Sequence, residues 1–380
     1  MSMTMSNIIT QFALDINETA DLIAATGHNR TIIVQGEMGW GKSALQRIIA
    51  AMPQFKNHVS IYIDCTTKTD SGDFFMVKYS DDGQTFKTVP HEELGLHLSG
   101  PVTLMFDEIG KMPRSAFNAV LRVLYERKYG EMQLHPDSIV MATTNLAAEG
   151  IGDLLPPHGR NRCTVVTMKK SDQLGWLGWS IAAGIHPTIQ AWAKDTPQLF
   201  HSFMDFETPA ICEREAPHIY DPRSANKPVA FVTGRSLEGA SDIMHDRDTT
   251  LAAGGVFTDG MLRAALAGTV GPRGAMDLMA YYTLLQQVPS KEEIINDPMG
   301  ARVPDKVSAV CMMVYRSLAT VERAWAPQWM TYLRRLDRPA QGLFGNGTRV
   351  KGYPRLDEIA RCKEYQQWAL ENAHLFAATK

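Results

Sequence analysis

Eight consecutive residues, Gly36-Glu37-Met38-Gly39-Trp40-Gly41-Lys42-Ser43, constrain this chain more than any other stretch. Before them comes Thr31-Ile32-Ile33-Val34-Gln35, an apolar, β-branched run that predicts a buried strand. After them, Ala44 to Ala51 has helical apolar spacing. Strand, glycine-rich loop and helix, in that order, is the context in which G-x-x-x-x-G-K-[ST] binds phosphate. Glycines let backbone N–H groups converge on an anion, and the start of a helix adds partial positive charge. Lys42 is placed to reach the β- and γ-phosphates of a nucleotide, and the Ser43 hydroxyl to ligate Mg²⁺. The candidate cradle runs from Gly36 through Ala44.

A second half of the same argument lies downstream. The strand-like run Pro101 to Phe106 ends in Asp107-Glu108. In a parallel α/β sheet, ligands bind off the carboxyl ends of the strands, where these two acids are expected. Asp107 is then the candidate to hold Mg²⁺ together with Ser43, and Glu108 the candidate base that polarises a water. The strand Ile139 to Thr144 ends in Asn145, a polar residue suited to the γ-phosphate side.

Other predicted elements complete an alternating pattern. A helix is expected over Asn7 to Ala25, with Ile8, Ile9, Phe12, Ala13 and Ile16 on one face. Val59 to Asp64 reads as a strand. Phe74 to Tyr79 and Gln84 to Val89, joined by Ser80-Asp81-Asp82-Gly83, read as a hairpin. Met112 to Lys128 reads as a helix with Pro113 in its first turn. A short β-like piece around Gly130 follows, and Cys163 to Met168 is a further strand. Strands alternating with helices imply a mostly parallel, doubly wound sheet.

The 380-residue length allows two or three domains. No apolar run is long enough for a membrane span, and the first residues lack the features of a secretory signal. Five widely spaced cysteines fit reduced thiols in a cytoplasm better than a disulfide framework or zinc site. A net charge of −3 gives no global argument for nucleic-acid binding. The scattered histidines, His186, His201 and His218 among them, lack metal-ligand spacing and are expected in ordinary surface or core roles.

Together these motifs resemble AAA+ ATPases, and within them the MoxR-like group. Gly100-Pro101 through Asp107-Glu108-Ile109 and the Pro-containing helix after it look like that group's second nucleotide motif. Asn145 in Ala142-Thr143-Thr144-Asn145 matches the family's sensor 1. The resemblance implies an arginine finger just before the fifth strand, at Arg162 with Arg160 as the fallback, acting on a neighbouring subunit. Val232-Thr233-Gly234-Arg235-Ser236 is similar to the sensor 2 segment, which makes Arg235 that arginine. The hairpin at about 74–89 matches the helix-2 insert, and the Gly130 region the pre-sensor-1 hairpin. Bulky Met38 and Trp40 in the phosphate loop, and Gly234 where proline is usual, depart from the pattern.

The implied fold is an α/β AAA+ P-loop NTPase core, a five-stranded parallel sheet between helices, over 1–170. A helical lid at 171–290 and a helical C-terminal extension at 291–380 follow. In the lid, Trp176 and Trp179 are expected to pack on one helix. In the extension, Val307 to Ala324 has helical spacing and a last helix covers about Leu356 to Phe376. The basic stretch at 334–351, around glycine-rich Gln341 to Gly347, is expected as a solvated, charged linker, with contact to an acidic partner or nucleic acid as the alternative. The resemblance implies cytoplasmic hydrolysis of ATP with Mg²⁺ in a hexameric ring that remodels a protein partner, in the family often one with a von Willebrand factor A domain. The alternatives are a nucleic-acid remodeller, such as a helicase loader or motor, and a nucleotide-gated scaffold. Net acidity argues against the first and Glu108 against the second.

Overall fold

The computed structural model describes residues 12–146, 161–225, 230–285 and 287–373. The chain divides into two compact units, Met1–Ser171 and Asp172–Lys380. In chain order the first contains α1 (Ile16–Thr26), β1 (Ile32–Gly36), α2 (Ala44–Ala50), β2 (Val59–Asp64), β3 (Phe75–Tyr79), β4 (Phe86–Pro90), β5 (Val102–Asp107), α3 (Arg114–Glu126), β6 (Lys128–Tyr129), β7 (Met132–Gln133), β8 (Ile139–Asn145) and β9 (Thr164–Thr167).

Five of these strands form one sheet in the order β2-β5-β8-β1-β9, and every neighbouring pair is parallel. Alternation along the strands sorts side chains into two layers. Ile32 and Val34 of β1, Met105 of β5 and Met141 of β8 pack with Ala20 and Ile23 of α1 and Leu45 and Ile49 of α2. On the other face Ile33, Leu104, Phe106 and Val140 pack with Phe117, Val120 and Val123 of α3. All residues of β5 are buried, as expected of a central parallel strand. This order puts the ends of β1, β5 and β8 side by side, and the shared parallel direction of the strands brings the loop at 36–43, Asp107 and Asn145 to one edge.

Local chemistry shifts several expected boundaries. Helix α1 starts at Ile16, not Asn7, because Asp15 caps it. The Asp15 carboxylate accepts from the N–H groups of Asn17 and Glu18, and Glu18 accepts from the Asp15 N–H. Leu14 forms a β-bridge with Met168 instead, and Ile8 and Ile9 lie outside the described residues. Pro113 is the N-cap of α3, one residue before its first turn. The β3–β4 hairpin forms with Tyr79 opposite Phe86. Its apolar surface is smaller than the sequence suggests, because Phe74 and Phe75 are core residues. Phe75 stacks on Tyr129 of β6 with ring centroids 3.6 Å apart, while Met76, Tyr79 and Phe86 stay 71%, 67% and 64% exposed.

The second unit is helical throughout its described residues: α4 (Gln173–Ala182), α5 (Pro187–Asp195), α6 (Pro209–Glu215), α7 (Gly234–Ala252), α8 (Asp259–Leu285), α9 (Lys291–Asn296), α10 (Val307–Thr320), α11 (Ala326–Leu333), α12 (Arg338–Thr348), α13 (Leu356–Ala360) and α14 (Lys363–Glu371). Helix α8 is broken at Gly271, whose φ of 84° leaves the helical region just before Pro272. Helix α10 packs on α5 and α8 and also on α12, so helices from both sides of residue 290 share one packed body. Trp176 is buried and Trp179 half-exposed, their rings 6.1 Å apart. His186 is buried, with Nε2 3.2 Å from Asp248, and burial holds its pKa below the ordinary value against the pull of that carboxylate.

The expected linker at 334–351 is instead part of this core. Asp337 caps α12 through the Ala340 N–H, Pro339 sits in its first turn, and Ala340, Phe344 and Thr348 are buried. Phe344 lies against Trp329 and Trp368, with centroids at 5.6 and 6.1 Å. Arg335 donates to the carbonyls of Pro298 and Ala301, both at 2.8 Å, and so closes a turn of the chain. The last helix is likewise two pieces, α13 and α14, interrupted at Arg361 and Cys362, and residues from 374 lie outside the described residues.

Candidate functional site

The glycine-rich loop leaves β1 at Gly36 and enters α2 at Ala44. Gly39 and Gly41 have φ of 75° and 87°, the left-handed region that side chains with a Cβ enter only at a cost. Lys42 is buried and turned back into the loop. Its ammonium donates to the carbonyls of Gly36 and Glu37 and to Asn145 Oδ1, each at 2.8 Å. Gly36 and Asn145 are register partners on β1 and β8, which explains how residues so far apart in sequence share one lysine. Trp40, the bulky departure, is packed away under Lys170, whose ammonium lies 4.4 Å from the indole ring.

Asp107 is the hub of the second cluster. Its Oδ2 accepts from Ser43 Oγ at 2.7 Å and from Tyr62 OH at 2.6 Å, and its Oδ1 accepts from Thr143 Oγ1. Glu108 follows in the left-handed conformation, φ 55° and ψ 40°, one of two non-glycine residues at positive φ among the described residues. Its N–H donates to Thr143 Oγ1 at 3.0 Å. Its Oε2 is buried, accepts no hydrogen bond among the described residues, and lies 3.3 Å from the Lys111 ammonium. Beneath the acids, burial and then the nearby Asp107 and Asp64 charges push the Cys65 thiol far up, so it stays a neutral packing group.

These residues fit Mg²⁺ and a nucleotide on three counts. Positive-φ glycines shape a cradle, a carboxylate and a hydroxyl supply hard oxygen ligands, and a second carboxylate, Glu108, follows directly on the first with the Lys111 ammonium at 3.3 Å. Lys42, Ser43, Asp107, Glu108 and Asn145 therefore stand together.

Arg162 has partners of its own. Arg162 is exposed, with its guanidinium 5.4 Å from the centre of the Tyr125 ring. Arg30 braces that turn by donating to the carbonyls of Asn161 at 2.7 Å and Cys163 at 3.2 Å, on either side of Arg162. Burial raises the Tyr125 hydroxyl to about 12, so the ring facing Arg162 is neutral. Arg160 lies outside the described residues. Arg235 belongs to the second unit, exposed in the first turn of α7, which Thr233 and Ser236 cap reciprocally. Sequence reasoning missed Tyr62 and Thr143. Thr143 carried a usable signal, since it is two residues before Asn145 and so shares its strand face; Tyr62 carried none, because its partner depends on β2 lying beside β5.

A loop of this geometry at the end of β1, with the acid at the end of β5, is the arrangement of a P-loop nucleotide-binding core. Residues 31–169 match the model of the AAA domain, dynein-related subfamily. A search of curated proteins finds no match. Among solved structures, the Thermotoga maritima RuvB Holliday junction branch migration motor is 12% identical, with 75% of each chain covered and a TM-score of 0.36. A reconstruction of Hsp104 with ATPyS and FITC casein is 14% identical, over 66% of this chain and 47% of that one, with a TM-score of 0.40.

Proposed function

We propose that the AAA domain hydrolyses ATP with Mg²⁺, as a MoxR-like ATPase acting in a ring, and uses the turnover to remodel a protein partner. The observation that carries the hydrolytic step is the pairing of Asp107, which already holds the Ser43 hydroxyl, with the adjacent Glu108 carboxylate, whose Oε2 faces the Lys111 ammonium at 3.3 Å. Mg²⁺, when held by Ser43 and Asp107, supplies charge neutralisation at the phosphates. Lys42 donates to three oxygens inside the loop, and its ammonium is available to the β- and γ-phosphates. Glu108 accepts a proton from the water that attacks the γ-phosphorus, ADP departs, and Asn145 orients the water and phosphate side. Arg162, pre-set by Tyr125 and Arg30, completes the site of a neighbouring subunit, and Arg235 reports nucleotide to the lid at 171–290. The extension at 291–380 stiffens that lid. The exposed side chains of Met76, Tyr79 and Phe86 on the β3–β4 hairpin are the surface offered to the partner.

Two substitutions test the chemistry. Lys42→Ala should weaken ATP binding by roughly 100-fold or more, since a buried charge facing phosphate is lost. Glu108→Gln should bind ATP normally and lose turnover by about 100-fold, because the amide accepts no proton. Normal turnover in Glu108→Gln, measured in steady-state assays, would remove the base assignment. Arg162→Ala subunits should be folded, ATP-binding and nearly inactive alone. Mixed with Glu108→Gln subunits they should recover part of the activity, and no recovery with subunit exchange confirmed rules out action between subunits.

A further inference from the structure

We infer that Thr143 is a positioning residue that sets both acids at the end of β5 through a single hydroxyl, an inference that rests on the hydrolytic reading of Asp107 and Glu108. The ladder between β5 and β8 ends with Phe106 opposite Ala142. One step further, where Asp107 would face Thr143, the contact passes from backbone to side chains. Thr143 Oγ1 donates its only proton to Asp107 Oδ1 and accepts the Glu108 N–H at 3.0 Å. The hydroxyl's one proton goes to the carboxylate and it accepts from the amide, and these two bonds set its direction.

Three features make this more than an ordinary buried threonine. Thr143 is 0% exposed, and its β-branched side chain has little rotamer freedom on a central strand, so the hydroxyl is held in one place. Glu108 turns into the left-handed region, which takes its N–H out of the β-ladder; Thr143 supplies the acceptor that this conformation needs. Asp107 Oδ2 is engaged by Ser43 and Tyr62, so Thr143 alone among the described residues holds Oδ1. The carboxylate that is to hold the metal and the backbone that aims the base are thereby tied to one atom. A shift of one acid relative to the other is resisted at that atom, and misplacement of about 1 Å in such a pair costs on the order of 100-fold in rate.

Thr143→Val removes the hydroxyl at nearly constant volume, and Thr143→Ser restores it without the methyl. Two measurements on each decide the matter: hydrogen exchange at the Glu108 amide without nucleotide, and kcat beside the ATP dissociation constant. In Thr143→Val the Glu108 amide should exchange at least about 10-fold faster and kcat should fall about 100-fold, with ATP affinity within about 3-fold. Thr143→Ser should stay within about 3-fold of the parent protein on all three. Unchanged exchange and unchanged kcat in Thr143→Val overturn the inference. So does a folded Thr143→Ser that fails in the same way, because the methyl would then be the working group. Should Thr143→Val not fold, Thr143→Ser alone decides by the same two measurements. Glu108→Gln run alongside separates the levels: normal turnover there overturns the hydrolytic reading, whereas the amide-exchange result still judges the Thr143 contact.

Discussion

Gly36–Ser43 and Gln341–Gly347 each carry three glycines and a comparable mix of polar and aromatic residues, yet they solve different problems. In the first, glycine supplies backbone freedom: Gly39 and Gly41 sit at positive φ and bend the chain around what becomes a ligand cradle. In the second, the glycines sit in helix α12, and one supplies closeness. A Cβ on Gly347 would lie 2.4 Å from Leu318 Cδ1 of α10, so the missing side chain is what lets the two helices touch. Around Gly342 nothing lies within 4 Å of such a Cβ, and there the glycine contributes neither freedom nor contact. Composition alone does not separate these uses. The flanks do: a buried strand before the first stretch, and an Asp337 cap with Pro339 before the second.

Substitution at each glycine sharpens the contrast. The largest effect is expected in the loop. Gly41→Val places a β-branched residue at φ 87°, and ATP affinity should drop by roughly 100-fold. The strain should also lower stability without nucleotide by about 1–3 kcal/mol, less than the loss in ATP binding; a large stability loss with intact affinity would reverse the assignment. Gly347→Ala should do the opposite. Helix propensity favours alanine by about 1 kcal/mol, but overpacking against buried Leu318 costs about 1–3 kcal/mol, so the packing term wins. Denaturant unfolding should show a net loss of up to about 2 kcal/mol with ATP affinity unchanged. The smallest effect is at Gly342→Ala, where propensity acts without opposition and stability should rise by about 0.5–1 kcal/mol. If Gly342→Ala destabilises instead, the space beside it is occupied and the helix packs more tightly there than the structure shows.

The sequence by itself determined the parts whose physics is local. The β1 strand, its glycine loop and α2 are contiguous, so periodicity and φ requirements identify them without reference to anything distant. The same is true of β5 with Asp107-Glu108 and of β8 with Asn145. Parallel strands with helices on both faces then followed from alternation. Tertiary structure decided who meets whom. Asp107 takes hydroxyls from Ser43, Tyr62 and Thr143 because β5 lies between β2 and β8, with the phosphate loop nearby, an order that no local pattern encodes. Phe75 is buried because Tyr129 from another hairpin comes to stack on it. The stretch at 334–351 read as a linker because its charges are visible along the chain. The Phe344, Trp329 and Trp368 cluster that buries its other face is assembled from three separate helices. Backbone preference acts over a few residues, whereas burial is a property of the assembled body; the first could be read in advance and the second only once the chain had closed on itself.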